Sequence, residues 1–156
     1  MLVGLWTGLR LGDACRLKWD AFKADGSVEV KMAKTGAVVR LPAARLVAEL
    51  GGRGAGYVMP GMAAAYGRDS SAVSKRVTDL FTRAGIATRE KRKGWHQSRP
   101  TASFHSLRHT FVTRCVEAGV PVAVVRELVG HTRETMTERY MHISAEAILE
   151  AFAKIS

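Results

Sequence analysis

The segment His105-Ser106-Leu107-Arg108 combines an imidazole with a guanidinium at a spacing that suits anion binding. In a helix, residues at positions i and i+3 are neighbours, and Leu107 and Phe111 are expected to face the core. We therefore expect His105 and Arg108 side by side on the face away from the core, where the helix N-terminus adds positive potential. When a histidine and an arginine occur at this spacing without further signals, they more often form a helix-capping or surface contact.

A histidine also follows a glycine at Gly130-His131, and Tyr140 comes nine residues later. A glycine that ends a helix makes a tight turn, so His131 can project into a cleft. Taken alone, Tyr140 is typical of an aromatic side chain that packs at a helix end.

Two further cations lie nearer the start of the chain. Arg10 falls at a junction between two predicted helices, and Asp13 can brace its guanidinium through a charge-assisted hydrogen bond. A surface Arg–Asp pair of low energy is the alternative. Lys34 precedes Thr35-Gly36 at the tip of a predicted β-hairpin, where a lysine is usually just solvated.

A metal centre is another way to combine such residues, with His105, His109, His131 and His142 as ligands. Three arginines flank these histidines, and clustered cations oppose a bound divalent cation. The sequence also lacks the HExxH pattern and a carboxylate cluster. We therefore predict no metal at these histidines.

The charge balance points to a polyanionic partner. Lysine and arginine number 24 against 14 aspartates and glutamates, which gives a formal net charge of +10. Nucleic acid is the first choice, and a protein that is basic without such a partner is the alternative. A membrane surface fits less well, because no basic amphipathic anchor helix and no membrane span are present. Cys15 and Cys115 form no metal spacing and no disulfide framework, which is typical of a reducing cytoplasm.

Apolar spacing, glycines and prolines predict the elements that position these residues. The fold class is mainly α with a small antiparallel sheet (α+β), whose two strands cover residues 28–31 and 38–41. A glycine-rich loop covers residues 51–61. Helices are predicted over residues 1–7, 12–22, 43–50, 69–84, 105–117, 121–128, 132–140 and 145–155.

Residues 88–103 are unusually basic and include Trp95 and His96. They indicate a loop that a short strand can interrupt. Such a loop can contact DNA phosphates, and a solvated surface loop is the alternative. The candidate DNA-binding residues are Arg89, Lys91, Arg92, Lys93 and Arg99.

Taken in order, these segments closely resemble the catalytic domain of the tyrosine recombinase (phage integrase) family. The pattern is Gly-Leu-Arg-x-x-Asp, a hairpin Lys-Thr-Gly, His-x-x-Arg-His-Thr, Leu-x-Gly-His and a tyrosine nine residues later. The resemblance covers the chain from Thr7 to about Ser144 and leaves residues 89–103 without a family counterpart. It implies one catalytic domain over residues 1–156, without the N-terminal core-binding domain of the family.

The resemblance also implies roles for the catalytic residues. Tyr140 is the nucleophile that forms a 3′-phosphotyrosyl link with DNA, and Arg10 and Arg108 stabilise the charge on the phosphoryl oxygens. Lys34 is the general acid for the leaving 5′-oxygen. His131 hydrogen-bonds a non-bridging oxygen.

Three residues complete the expected site. His105 is the candidate base for the Tyr140 phenol, or at least its hydrogen-bond partner, because a free tyrosine has a pKa of about 10. Asp13 is carried over as the brace for Arg10, and His109 as a packing or supporting residue behind the catalytic groups.

The expected function is DNA breaking and rejoining in site-specific recombination, as in integration or excision. The expected partner is double-stranded DNA, on which a homotetramer assembles from chains that can be monomeric in isolation, in the nucleoid of the cytoplasm. Two alternatives remain: a type IB topoisomerase, whose Arg–Lys–Arg–His–Tyr site is similar, and a DNA-binding module without catalysis.

Overall fold

The computed structural model describes residues 1–91, 94 and 96–130. Within these residues the chain forms a mainly α fold with small antiparallel sheets, which confirms the predicted fold class. The helices predicted over residues 132–140 and 145–155 lie outside the described residues. In chain order, the elements are α1 (Leu2–Thr7), α2 (Leu11–Cys15), a 3₁₀ turn (Trp19–Ala21), β1 (Ser27–Lys31), β2 (Val38–Pro42), α3 (Ala44–Glu49), α4 (Pro60–Arg68), α5 (Ser70–Arg83), β3 (Arg89–Glu90), β4 (Arg99–Pro100), α6 (Phe104–Glu117) and α7 (Val122–Leu128).

Strands β1 and β2 form the antiparallel hairpin that the alternating pattern predicts, to within one residue at each end. Val28 and Leu41 are partners across the hairpin, and both are fully buried. The next pair, Glu29 and Arg40, is exposed, as the two-residue period of a strand requires. One face of the hairpin therefore lies on the core, and its turn carries residues 32–37.

Helices α1 and α6 approach each other closely because glycines face phenylalanines across their interface. A Cβ added at Gly4 would lie 2.7 Å from Cζ of Phe104. A Cβ at Gly8 would lie 2.5 Å from Cδ1 of Phe111, and Gly8 also has a φ of 62°. A larger residue at Gly8 would meet both a steric clash and a strained backbone. This glycine ends α1 at the predicted place.

The helix predicted over residues 12–22 is wrong in its second half, since α2 ends at Cys15. The backbone N–H of Val58 donates to the carbonyl of Leu17 at 2.9 Å, and the N–H of Trp19 donates to the carbonyl of Gly56 at 2.9 Å. Backbone groups that a continuing helix would use internally thus pair with a distant loop. Apolar spacing alone cannot reveal this competition.

Helix α4 was not predicted, and it begins inside the segment assigned to a glycine-rich loop. Pro60 occupies the first turn, where its fixed φ suits a helix and its missing N–H costs no hydrogen bond. Ala65 of α4 packs in a small cluster with Cys15 and Val73. The helix therefore covers α2 and the start of α5.

Both cysteines are free and buried. Burial raises the pKa of the Cys115 thiol to about 11, so this thiol stays protonated at neutral pH. Among the helices of the described ranges, none is long and apolar enough to cross a membrane.

Candidate active site

The N-terminus of α6 is fixed by a capping box. The Ser103 hydroxyl accepts a hydrogen bond from the backbone N–H of His105 at 3.3 Å, and the Ser103 N–H donates to the Ser106 hydroxyl at 3.1 Å. Reciprocal bonds of this type satisfy N–H groups that have no partner inside the helix. They set the position of His105 in the first turn, where the residue is exposed.

Arg108, one turn further along α6, is buried rather than placed on the outer face, so this expectation was wrong. Its side chain is only 2% exposed. Nη1 donates to the carbonyl of Gly8 at 2.8 Å, and Nη2 donates to the carbonyl of Val129. Both carbonyls lie at the C-terminal ends of helices, where they lack intrahelical partners and carry partial negative charge. These contacts allow the guanidinium to be buried.

The pKa of Arg108 is influenced by its neighbour Arg10. Burial, and then the charge of Arg10, lower the pKa of Arg108 to about 10, and the charge of Asp13 opposes this change. With a pKa of about 10 the guanidinium still carries its charge at neutral pH. The charges of Arg10 and Asp13 therefore both act on Arg108.

Arg10 lies in an extended backbone conformation between α1 and α2 and is half-buried. Its Nη1 is buried, and no group among the described residues accepts a hydrogen bond from it. Most buried donors in proteins are satisfied, and leaving one unsatisfied costs roughly 1–3 kcal/mol. Arg10 thus offers a charged donor that an external anion can use.

His105 and His109 lie in contact on the outer face of α6. Their ring centroids are 4.8 Å apart in an edge-to-face arrangement. Burial lowers the pKa of His105 below its ordinary value, with further lowering by His109, Arg108 and Arg10 in that order. The imidazole of His105 is therefore neutral at neutral pH and can accept a proton.

Asp13 does not brace Arg10 by a hydrogen bond, which corrects the sequence expectation. The side chain is 6% exposed, and its Oδ1 accepts a hydrogen bond from the backbone N–H of Ala33 at 2.9 Å. Within the described ranges, no ion pair joins Asp13 to Arg10. Asp13 therefore links α2 to the turn of the β1–β2 hairpin.

Lys34 follows Ala33 in that turn and is exposed. The turn is closed by hydrogen bonds from Met32 N–H to the Ala37 carbonyl and from Gly36 N–H to the Met32 carbonyl, both 2.8 Å. Met32 itself is buried and anchors the turn in the core. Lys34 is thus presented from a fixed base on a long, flexible side chain.

A comparison with models of protein families shows to which family the chain belongs. The model of the phage integrase family matches residues 1–147. The chain belongs to the phage integrase family.

Curated relatives of this family member are tyrosine recombinases. The recombinase XerC of Xylella fastidiosa (strain M23) is 30% identical over 94% of this chain and 48% of its own length. XerC of Leptospira interrogans (serovar Lai, strain 56601) is 35% identical over 51% of this chain and 25% of its own length. The chain spans about half the length of the Xylella relative.

Solved structures share the fold. The integrase from mycobacterium phage Brujita matches with a TM-score of 0.68 and 24% identity, over 99% of this chain and 50% of the other. The lambda integrase catalytic core matches with a TM-score of 0.56 and 23% identity, over 86% of this chain and 78% of the other.

Two candidate catalytic residues of this integrase family chain, His131 and Tyr140, lie outside the described residues, as does His142. The structure does describe the residues just before His131. Gly130 ends α7 with a φ of 61°, and the carbonyl of Val129 accepts the hydrogen bond from Arg108. Within the described ranges, no three His, Cys, Asp or Glu side chains are placed to hold a metal ion.

The basic segment contains a short antiparallel pair of strands, β3 and β4. Arg89 is used inside this pair: Nε donates to the Ser98 hydroxyl at 2.8 Å, and Nη2 donates to the Ser98 carbonyl at 2.7 Å. Lys91 and Arg99 are exposed, and Arg99 lies opposite Glu90 in the register. The other two candidate DNA-binding residues, Arg92 and Lys93, lie outside the described residues.

Three backbone groups belong to the site but were missed by sequence reasoning. The carbonyls of Gly8 and Val129 hold Arg108, and the N–H of Ala33 binds Asp13. Residue types at these positions carry no signal of such contacts. Only the tertiary packing of α1, α6, α7 and the hairpin turn creates them.

Proposed function

We propose that this chain breaks and rejoins double-stranded DNA in site-specific recombination, with Tyr140 as the nucleophile. The observation that supports it most strongly is the buried Nη1 of Arg10, which lacks a partner in the described part of the chain. A buried, charged donor without a partner is satisfied when an anionic oxygen of a bound ligand accepts its hydrogen bond. In a phage integrase family member with a net charge of +10, the phosphodiester of DNA is the natural source of that oxygen.

Arg10 and Arg108 are the proposed ligands of the non-bridging phosphoryl oxygens. Arg108 uses one N–H of each terminal nitrogen on a backbone carbonyl, and a guanidinium has five N–H donors. The three remaining donors are the ones that we assign to the phosphate. Because two backbone carbonyls hold Arg108 before the reaction, its guanidinium stabilises the added transition-state charge without reorganisation.

Proton transfer is assigned to His105 and Lys34. The Tyr140 oxygen forms a bond to phosphorus while the bond from phosphorus to the 5′-oxygen breaks. His105, which is neutral at neutral pH because its pKa is lowered, accepts the phenolic proton. Lys34 gives a proton to the leaving 5′-oxygen, and His131 hydrogen-bonds a non-bridging oxygen.

The proposed intermediate retains the energy of the phosphodiester bond. The 3′-phosphate is held on Tyr140, and a 5′-hydroxyl from another strand reverses the step. No cofactor enters this scheme. Asp13 and His109 touch no reacting atom in it and act through their neighbours.

The proposed partners are DNA and further copies of this chain. Among the structures with the same fold are a lambda integrase tetramer bound to a Holliday junction and a lambda integrase dimer bound to a COC′ core site. We propose that this chain also acts as a tetramer on synapsed DNA, in the nucleoid of the cytoplasm. Lys91 and Arg99 are proposed phosphate contacts, together with Arg92 and Lys93, whereas Arg89 supports their strand pair.

A nicked suicide substrate tests the proposal. Duplexes of random sequence, each with a nick, are incubated with the chain, and strands covalently bound to protein are recovered under denaturing conditions and sequenced. When cleavage releases a short strand beside the nick, rejoining is impossible and the adduct accumulates. We expect an adduct with the wild type and none with Tyr140→Phe.

Controls separate Tyr140 from the other tyrosines. Nζ of Lys18 lies 5.3 Å from the ring centroid of Tyr57, and Cζ of Arg16 lies 5.5 Å from the ring centroid of Tyr66. The variants Tyr57→Phe and Tyr66→Phe should form the adduct normally. DNA binding by the wild type without any adduct would contradict the proposal and leave a binding module. Relaxation of supercoiled plasmid with no two-site product would favour a topoisomerase.

A further inference from the structure

The hydrogen bond between Asp13 and Ala33 joins two parts of the site that are 20 positions apart in the chain. Asp13 belongs to α2, which begins immediately after Arg10. Ala33 belongs to the hairpin turn and immediately precedes Lys34. The Asp13 Oδ1 lies 2.9 Å from the Ala33 nitrogen, so the carboxylate holds the peptide next to Lys34.

The contact is well placed to fix the turn. Asp13 is 6% exposed and Met32 is 1% exposed, so both anchors are set in the core, whereas Ala33 and Lys34 are exposed. The two hydrogen bonds that close the turn lie within the hairpin itself. The Asp13 contact is the described hydrogen bond that ties this turn to the helix following Arg10.

We propose that Asp13 is a positioning residue for Lys34, and that it sets the delivery of the proton to the leaving 5′-oxygen. The inference rests on the proposed function, in which Lys34 is the general acid. It differs from a brace for Arg10, which would affect phosphate binding whatever the leaving group. The two roles therefore predict different responses to a change of leaving group.

The chemistry of the leaving group distinguishes them. When the bond from phosphorus to the 5′-oxygen breaks, an alkoxide would form unless Lys34 donates its proton. An alkoxide is a poor leaving group, because the pKa of an alcohol, like that of water, is about 16. A 5′-sulfur in the bridging position leaves as a thiolate, because a thiol has a pKa of about 8.5. A sulfur substrate therefore cleaves without a general acid but still needs Arg10, Arg108 and Tyr140.

The experiment compares adduct formation on two nicked duplexes of the same sequence, taken from those that the wild type captures, with oxygen or sulfur at the bridging 5′-position. General acids typically contribute about 10²–10⁴-fold. We expect Lys34→Ala to lose about 10²-fold or more with oxygen and little with sulfur. Asp13→Ala should lose about 10-fold or more with oxygen and recover with sulfur in the same way.

Two further variants complete the design. Arg10→Ala should be slow with both substrates, because it removes a phosphate ligand. Asp13→Asn has the size of aspartate and keeps an Oδ1 acceptor for the Ala33 N–H, so it should fold and stay within a few-fold of wild type on the oxygen substrate. This variant decides the question even if Asp13→Ala does not fold.

The outcomes separate the inference from the proposed function. The positioning role would be overturned by equal losses of Asp13→Ala on oxygen and sulfur, or by a large loss of Asp13→Asn on both substrates. Either result would indicate that Asp13 acts on the phosphate-binding arginines instead. Failure of the wild type to capture any nicked duplex would instead overturn the proposed function.

Discussion

Arg108 and Gly8 are 100 positions apart in the chain, and a hydrogen bond of 2.8 Å joins Nη1 of the first to the carbonyl of the second. The other terminal nitrogen of Arg108 holds the carbonyl of Val129. Arg10 follows Gly8 by two residues, and His131 follows Val129 by two residues. One buried guanidinium therefore connects the chain segments that lead to two other candidate catalytic residues.

Arg108→Lys should lower both stability and activity. A lysine keeps the charge but has a single ammonium group, which lacks the fork that spans two carbonyls. Hydrogen bonds to charged groups contribute about 1.5–3 kcal/mol each, so we expect a loss of roughly 2–4 kcal/mol in the free energy of unfolding. Urea denaturation measures this, with the exposed Arg126→Lys in α7 as the control. An unchanged unfolding midpoint for Arg108→Lys would refute the structural role.

Arg10→Ala should separate stability from activity. Since the buried Nη1 lacks a partner in the described part of the chain, its removal should leave the free energy of unfolding unchanged or raise it by up to about 1 kcal/mol. The rate of adduct formation should fall about 10²–10³-fold, because a preorganised donor is lost. Thermal unfolding and single-turnover cleavage give the two values. Arg83→Ala, at the exposed end of α5, should alter neither, and strong destabilisation of Arg10→Ala would contradict the argument.

The pH dependence of adduct formation should report the protonation of the His105 imidazole. Because the pKa of this imidazole lies below its ordinary value, the base is neutral above about pH 6.5. The rate should be level there and fall as the pH drops through the lowered pKa. In the same acidic range folding stability should also decline, since the unfolded imidazole binds its proton more tightly.

His109→Gln should move that acidic limb to higher pH. The substitution removes a neighbouring group whose positive charge lowers the pKa of His105, so the pKa returns toward its ordinary value. Rates measured between about pH 5 and pH 8, together with NMR titration of the His105 ring, test this. His96→Gln provides an exposed control in the basic segment. A limb that stays in place would show that the two rings are not coupled.

The sequence predicted two helix ends and the hairpin, whose causes are local, but it missed α4 although Pro60 occupies the first turn of that helix. Gly8 and Gly130 end α1 and α7 through positive φ, and the alternation around Val28 gives the hairpin. The burial of Arg108 and the contact of Asp13 with Ala33 were not predictable, because both depend on backbone groups brought together by tertiary packing. Side-chain types placed Arg108 on the wrong face, since an arginine is normally exposed unless it is paired.

Gly8→Ala tests whether close packing of α1 on α6 holds the site together. The new Cβ would lie 2.5 Å from Phe111, and the backbone has a φ of 62°, so we expect a loss of about 2–4 kcal/mol in stability. Adduct formation should fall as well, since the carbonyl of Gly8 holds Arg108. Gly67→Ala in α4 is the matched control: nothing lies within 4 Å of its Cβ, and it should stabilise by about 0.5–1 kcal/mol. Equal effects of the two substitutions would contradict the packing argument.

The most direct test is to identify the residue that carries the DNA. The captured adduct is digested with nuclease and protease, and the modified peptide is sequenced by mass spectrometry. The chain has three tyrosines, and we expect a nucleotide attached through its 3′-phosphate to Tyr140. Attachment to Tyr57, Tyr66 or a residue of another type, or through a 5′-phosphate, would contradict the proposed chemistry.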